Sequence, residues 1–140
     1  MFLQNAGGVR TAIPAGEFSY DTGYNLLPFS NTLYVFDMTG AEIKQVMEEA
    51  IEYSTKEGGS TGGFPYGAGI RYEAKKSGEL GTRVTKVEVK DRITGEWKPL
   101  DLAKTYKIGT NSYLAGGKDG WVTFGKIKDT RGGTDTYIDY

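Results

Sequence analysis

The clearest pattern along the chain is a set of apolar residues at helical spacing in its first half. They recur at intervals of three and four positions: Ile43, Val46, Met47, Ala50 and Ile51. Thr39 and Glu42 stand before them in the order of a capping box, a common start of an α-helix. We therefore predict an amphipathic helix. Its solvent face is predicted to hold Lys44, Glu48, Glu49 and Glu52. A flexible, glycine-rich loop over residues 57–63 is predicted to follow.

The remainder of the chain favours short strands and turns. β-Branched and aromatic residues predict strands over residues 2–5, 32–38, 69–75, 83–90 and 105–110. A turn at residues 93–96 predicts a hairpin. Residues 19–27 predict a short helix with Ser19 as its N-cap and Pro28 at its end, and residues 134–140 predict the opening of another helix. Strands without regular βαβ alternation indicate an α+β fold, a mixed β-sheet with a few packed helices.

Length and composition exclude several classes of function for this chain. A chain of 140 residues is expected to form a single domain over residues 1–140. It contains no Cys and no His, which excludes thiolate and imidazole groups as nucleophiles, bases or metal ligands. Its 17 Lys and Arg nearly balance its 18 Asp and Glu, so no polynucleotide partner is expected. We find no signal peptide and no apolar run of membrane-spanning length, and we expect a fragment of a longer protein.

Three loops, two of them rich in glycine, carry polar or aromatic residues of the kind that form binding sites. They lie at residues 5–10 (NAGGVR), 27–31 (LPFSN) and 111–121 (NSYLAGGKDGW). The third is predicted to be a loop over residues 111–120. Because rigid scaffolds place functional groups on loops, these segments are the candidates for a site.

The first of these loops has two interpretations. Gly7 and Gly8 permit backbone conformations closed to other residues and allow a ligand to approach the main chain. Asn5 offers amide hydrogen bonds, and Arg10 offers a cationic fork suited to phosphate. The same residues also fit a tight turn with a solvated arginine, and neither a dinucleotide fingerprint nor a P-loop is present.

The other two loops each hold an aromatic residue, Phe29 and Tyr113. Each either fills the core or presents a flat face to a planar ligand, and two opposed faces would sandwich a nucleobase. Asp119 is able to accept hydrogen bonds from both hydroxyls of a ribose, since an ionised carboxylate is purely an acceptor. Its alternative role is a loop residue bonded to its own backbone.

Together the three loops resemble one family, the C-terminal domain of the 5'-nucleotidase and UDP-sugar hydrolase enzymes. NAGGVR resembles the family's N-[AG]-G-G-[IV]-R, LPFSN is similar to L-P-F-G-N, and NSYLAGGKDGW is similar to N-x-[FY]-L-x-x-G-x-D-G-[FYW]. IPAGEFSY, TGGFPYGAGIRY and PLDLAKTYKIGT match as well, so the resemblance covers nearly the whole chain. It implies the α+β fold of these C-terminal domains.

The resemblance implies a nucleoside site and assigns roles to its members. The matched residues are Asn5, Gly7, Gly8, Arg10, Phe29, Asn31, Tyr113 and Asp119. Phe29 and Tyr113 match the aromatics that clamp the base, and Asp119 matches the ribose-binding carboxylate. Asn5 matches an amide that touches the base, and Arg10 matches an arginine on the phosphate or ribose side.

Two departures from the family pattern concern the same site. Ser30 replaces the usual Gly after Phe29, and Tyr113 stands where many members have Phe. A tyrosine still stacks, but its hydroxyl is expected to bear on base preference. Asn31 matches a polar position of the family motif and would reach the base edge.

The resemblance also implies what lies outside this chain. Family members carry an N-terminal metallophosphoesterase domain in which two divalent metal ions perform the hydrolysis. We therefore expect no catalytic residue, metal ligand or cofactor here, an AMP-like nucleoside or nucleotide as ligand, and that N-terminal domain as partner. The isolated chain is expected to be inactive. Its parent is expected to be extracellular, periplasmic or cell-wall-associated, as part of nucleotide catabolism.

Two other functions stay open at this point. The chain fits a non-catalytic nucleoside-binding or cell-surface module that kept the fold. It also fits the related thiosulfohydrolases of sulfur oxidation, although Phe29 and Tyr113 argue against a substrate without a base. A nucleoside monophosphate, a nucleotide sugar and a dinucleotide are all possible substrates.

Overall fold

Two β-sheets form the framework of the molecule. The computed structural model describes residues 1–131 and the backbone of Thr136–Tyr137. Its strands are β1 (Phe2–Asn5), β2 (Thr32–Thr39), β3 (Pro65–Ala68), β4 (Ile70–Ala74), β5 (Val84–Lys90), β6 (Trp97–Pro99), β7 (Thr105–Asn111) and β8 (Thr136–Tyr137). The larger sheet has the order β3-β1-β7-β2-β8, and the smaller one has the order β4-β5-β6.

The larger sheet is mixed, as predicted. Strands β1 and β7 run parallel, whereas β3 pairs with β1, and β2 pairs with β7 and β8, in antiparallel fashion. The smaller sheet is antiparallel throughout, and its β5–β6 hairpin confirms the turn predicted at residues 93–96. The Asp91 carboxylate supports that turn by accepting hydrogen bonds from the backbone of Ile93 and Thr94.

The described part of the chain contains four α-helices. They are α1 (Tyr20–Leu26), α2 (Gly40–Thr55), α3 (Ser112–Ala115) and α4 (Val122–Ile127). Ser19 caps α1 as predicted, and its hydroxyl accepts a hydrogen bond from the Thr22 amide. None of the helices in this part of the chain is long and apolar enough to cross a membrane. The α+β class is confirmed.

Helix α2 contributes many of the buried apolar residues of the core. It begins at the predicted capping box. The Thr39 hydroxyl accepts from the Glu42 amide at 3.2 Å, while the Glu42 carboxylate accepts from the Thr39 amide at 3.3 Å. All five of its predicted apolar positions are at most 1% exposed. They meet a buried aromatic stack, in which the Phe124 ring lies 5.3 Å from Phe36 and 5.6 Å from Trp121.

The polar side of α2 differs from the prediction. Glu48 was predicted to face solvent, but it is 1% exposed. Its carboxylate accepts hydrogen bonds from the backbone amides of Gly81, Arg83 and Val84, at the start of β5. Glu49 similarly accepts from the amide and hydroxyl of Thr123, in the first turn of α4. The prediction was wrong for Glu48 because helical periodicity does not record that a neighbouring segment covers the polar face.

Four further segments differ from the sequence prediction. Strand β3 and helix α4 were missed, and the predicted loop over residues 111–120 contains α3 and a 3-10 turn at Lys118–Gly120. The helix predicted over residues 134–140 is wrong at Thr136–Tyr137, which forms β8 against β2. The open backbone groups at the edge of β2 favour a strand there, since a paired edge satisfies them. The rest of that segment lies outside the described residues.

Candidate nucleoside site

A cavity of about 450 Å³ opens at one edge of the larger sheet. It is lined by Asn5, Gly7, Gly8, Arg10, Phe29, Asn31, Ser60, Gly62, Tyr113 and Asp119. All the residues that the sequence matched to a nucleoside site are among them. Strands β1 and β7 are parallel, so both end at this edge, and the antiparallel β2 begins there. The topology therefore brings the three predicted loops together.

Asn5, which lines the cavity, belongs to a network of side-chain amides, which we call the polar floor (Gln4, Asn5 and Asn111). The Asn111 side-chain amide donates to Gln4 Oε1 at 3.0 Å and to Asn5 Oδ1 at 3.1 Å. Asn111 Oδ1 accepts from the Leu114 backbone amide at 2.9 Å, which caps α3. Asn5 is only 4% exposed. Hydrogen bonds within the protein therefore fix the side chains of the polar floor without a ligand.

Asp119 joins this floor to the opposite wall. Asn5 Nδ2 donates to Asp119 Oδ2 at 3.1 Å, and the Tyr113 hydroxyl donates to Asp119 Oδ1 at 2.9 Å. The residue has a left-handed backbone, with φ of 55° and ψ of 29°. Asn and Asp adopt this conformation more readily than most residues. The third loop thus presents the carboxylate with both oxygens already oriented.

The hydrogen bond to Asp119 also changes the acidity of Tyr113. It raises the pKa of the Tyr113 hydroxyl above its ordinary value, because a phenol that donates to a carboxylate holds its proton more firmly. Desolvation and the negative charge of Asp119 act in the same direction. Tyr113 therefore remains a donor throughout the physiological pH range.

The opposite wall is exposed and aromatic, and we call it the aromatic rim (Arg10, Phe29 and Tyr113). Phe29 is 54% exposed and Tyr113 is 45% exposed, so neither ring fills the core. The Arg10 guanidinium carbon lies 5.6 Å from the centre of the Phe29 ring, and its Nη1 donates to the Gly7 carbonyl at 3.4 Å. The backbone amide of Arg10 donates to Leu26 at the end of α1. The rim thus combines flat apolar faces with one cation.

Gly7 and Gly8 serve close packing rather than unusual backbone angles. Neither belongs to the glycines with positive φ, which corrects the conformational reason given from sequence. A Cβ on Gly8 would lie 2.1 Å from Gln4 Nε2 and 2.9 Å from Asn5 Oδ1. One on Gly7 would lie 3.2 Å from Gly62 Cα. A side chain at either position would press on the cavity wall.

Asn31 lines the cavity but is largely buried, and its contact with a base edge stays a prediction. It is 8% exposed, and its Oδ1 accepts from the Ser112 hydroxyl at 3.2 Å. The same Ser112 oxygen accepts from the Thr32 backbone amide at 3.0 Å. Asn31 thereby ties the start of β2 to the start of α3, the element that carries Tyr113.

Sequence reasoning missed two lining residues, Ser60 and Gly62. They lie in the glycine-rich segment that was predicted only as a flexible loop, and Thr61–Gly63 forms a 3-10 turn there. The Ser60 hydroxyl accepts from the Gly62 amide at 3.2 Å. Glycine combined with polar side chains, the feature shared by the first and third loops, would have indicated this one as well.

Acidic side chains do not form a metal-binding group in the described part of the chain, where no three His, Cys, Asp or Glu residues come together. Among the residues that line the cavity, Asp119 alone carries a carboxylate. It is bound by two neutral donors rather than by further acids. The residues present suit a hydrogen-bonding ligand with a flat ring.

Comparison with known proteins decides the family. The family model described as the 5'-nucleotidase, C-terminal domain, matches residues 2–126. The chain belongs to this family. As a 5'-nucleotidase C-terminal domain, it is 52% identical over 137 residues to a probable 5'-nucleotidase of Treponema pallidum. That match covers 97% of this chain and 23% of the relative.

Solved structures of the family share the fold. The NAD nucleotidase of Haemophilus influenzae is 49% identical, with a TM-score of 0.90 over 97% of this chain and 24% of that chain. A 5'-nucleotidase precursor from Thermus thermophilus is 34% identical, with a TM-score of 0.79 over 99% of this chain and 26% of that chain. This 5'-nucleotidase C-terminal domain therefore spans about a quarter of the length of the relatives it matches.

Proposed function

We propose that this chain is the substrate-recognition domain of a larger nucleotide hydrolase of the 5'-nucleotidase type. One observation carries the proposal: a single cavity collects residues from loops far apart in the sequence and joins a buried polar floor to an exposed aromatic rim. Its volume of about 450 Å³ falls within the range of about 300–1,000 Å³ that is usual for small-molecule sites.

The nucleoside part of the substrate would occupy this cavity. Its base would stack on Phe29 and Tyr113, whose exposed rings give apolar faces to a planar ligand. Stacking on an aromatic side chain is worth about 1–3 kcal/mol per base. Asp119 would accept hydrogen bonds from the ribose hydroxyls, and Arg10 would meet the phosphate or the ribose side. Asn5 is buried and bonded to Asn111 and Asp119, which favours a positioning role over direct contact with the base.

The proposed division of labour rests on the family match and on the quarter of its relatives' length that the chain spans. Hydrolysis in our proposal belongs to a preceding metallophosphoesterase domain with two divalent metal ions, and this domain supplies orientation and binding energy. The isolated chain should show no phosphatase activity with added Mn²⁺, Co²⁺ or Zn²⁺. We place the parent protein in an extracellular, periplasmic or cell-wall setting, in line with the Thermus relative, which is a 5'-nucleotidase precursor.

A titration of the ¹⁵N-labelled chain with adenosine, AMP and NAD tests the binding step. We expect ligand-dependent amide shifts at the third loop and around Phe29. Phe29→Ala should weaken adenosine binding about tenfold or more, the equivalent of one lost stacking contact. Phe18→Ala is the matched control, because Phe18 is also exposed but does not line the cavity.

Several outcomes separate the alternatives. Shifts that avoid the cavity, or an equal effect of Phe29→Ala and Phe18→Ala, would reject the nucleoside site. Specific binding, combined with a parent protein that does not hydrolyse nucleotides, would favour the non-catalytic nucleoside-binding module. Hydrolysis by the isolated, pure chain would contradict the proposed division of labour.

A further inference from the structure

The Tyr113 hydroxyl is paired with the carboxylate of Asp119. It donates to Asp119 Oδ1 at 2.9 Å. From its sequence position alone, this hydroxyl was expected to bear on the choice of base. The hydroxyl is instead bonded to Asp119, the residue proposed to bind the sugar. We therefore expect it to affect recognition of the sugar.

The two oxygens of Asp119 are held by residues in very different settings. Oδ2 accepts from Asn5, which is 4% exposed and fixed in turn by Asn111. Oδ1 accepts from Tyr113, which stands on the exposed rim. Loss of the Tyr113 hydroxyl would therefore release one oxygen while the other remained anchored.

The hydrogen-bonding capacity of the carboxylate limits what it can recognise. An ionised carboxylate has about four acceptor positions, two on each oxygen. Asn5 and Tyr113 each take one position, on different oxygens. One position remains on each oxygen, and this matches the two adjacent hydroxyl donors of a vicinal diol.

We infer that Tyr113 is a positioning residue that holds Asp119 for bidentate contact with a vicinal diol, so that the site selects ribonucleosides over 2'-deoxyribonucleosides. This inference rests on the proposed function. A 2'-deoxyribose would leave one oriented carboxylate oxygen without its ligand partner. A group that is kept dehydrated and unpaired costs more than a group free to turn toward water. The orientation by Tyr113 is thus the source of the selectivity.

The test compares three ligands on the full chain: adenosine, 2'-deoxyadenosine and 9-methyladenine, which carries no sugar. We expect the wild-type protein to bind adenosine about tenfold more tightly than 2'-deoxyadenosine, the usual value of one hydrogen bond to a charged group. Tyr113→Phe should lower this ratio to about twofold or less. It should leave the affinity for 9-methyladenine unchanged, because the ring is retained. Tyr24→Phe, a tyrosine of α1 that does not line the cavity, is the control.

The variant Asp119→Asn tests whether Tyr113 acts through Asp119. In Asp119→Asn the sugar selectivity should already be lost, and Tyr113→Phe added to it should lower the ratio no further, because the two residues act through one contact. An unchanged ratio in Tyr113→Phe would overturn the inference, as would equal weakening of all three ligands, which would show that the hydroxyl serves only the ring. If the wild-type protein bound none of the ligands, the proposed function itself would fail.

Discussion

The polar floor, which reaches the cavity through Asn5, and the aromatic rim, which lines it, are built in opposite ways. Asn5 and Asn111 of the floor are at most 4% exposed and bonded to each other, whereas Phe29 and Tyr113 of the rim are about half exposed. A buried polar group that loses its partner costs free energy, so the floor contributes to folding as well as to the site. The rim contributes little to the free energy of unfolding. Its exposed apolar faces give a favourable free energy only when a ligand covers them.

The largest effect that would separate the two regions is expected from the floor. Asn111→Ala removes the cap of α3 and leaves the partners of Asn111 without their bonds. We expect the free energy of unfolding to fall by about 3 kcal/mol, the sum of a lost cap and a buried unpaired group. Urea denaturation measures this change. Asn25→Ala, at an exposed position of α1, is the control. Equal losses in the two variants would show that the buried bonds of the floor do not contribute to stability.

A rim substitution should change ligand binding but leave stability almost unaffected. Arg10→Ala should shift the free energy of unfolding by less than about 0.5 kcal/mol, as is usual for an exposed residue. We expect it to weaken AMP binding about tenfold and adenosine binding about twofold or less, because a guanidinium contributes mainly through the phosphate. Amide titrations with both ligands measure this. Arg92→Ala, also exposed, is the control. Equal weakening of AMP and adenosine binding would indicate that Arg10 contacts the ribose rather than the phosphate.

The smallest effect concerns the contact between floor and rim. The pKa of Tyr113 is raised in the folded protein, so the Asp119 hydrogen bond contributes fully below the ordinary tyrosine pKa near 10 and is lost as pH rises through the higher folded value. Asp119→Asn should lower the Tyr113 pKa toward its ordinary value. The chemical shift of the tyrosine ζ-carbon against pH reports the midpoint. Identical midpoints in the two proteins would show that the bond does not form in solution.

Prediction from sequence succeeded where the signal lies in neighbouring residues. The capping box at Thr39 and Glu42 and the apolar positions of α2 were correct, because helical spacing and capping depend on residues within one turn. The residues matched to a nucleoside site do line one cavity. That result came from the order of several motifs, and no one of them would have been sufficient alone.

Prediction failed where distant segments compete with local preference. Glu48 follows the polar side of the α2 pattern, yet amides at residues 81–84 bury its carboxylate. Residues 136–137 join the edge of β2 as a strand, although the local sequence favours a helix. In the first loop, Gly7 packs closely against Gly62, which a larger residue at position 7 would push away. None of these neighbours is adjacent in the sequence.

The sequence by itself determined the α+β class, the main helix, the absence of Cys and His chemistry, and most of the residues that line the cavity. Only the tertiary structure decided what those residues do for one another. Asn5 and Asp119 are 114 positions apart, and their 3.1 Å hydrogen bond depends on the parallel pairing of β1 with β7. Local periodicity records which face of an element is apolar, but a side chain's hydrogen-bond partner is set by the packing of the whole chain. For that reason the coupling of Tyr113 to Asp119 became visible only in three dimensions.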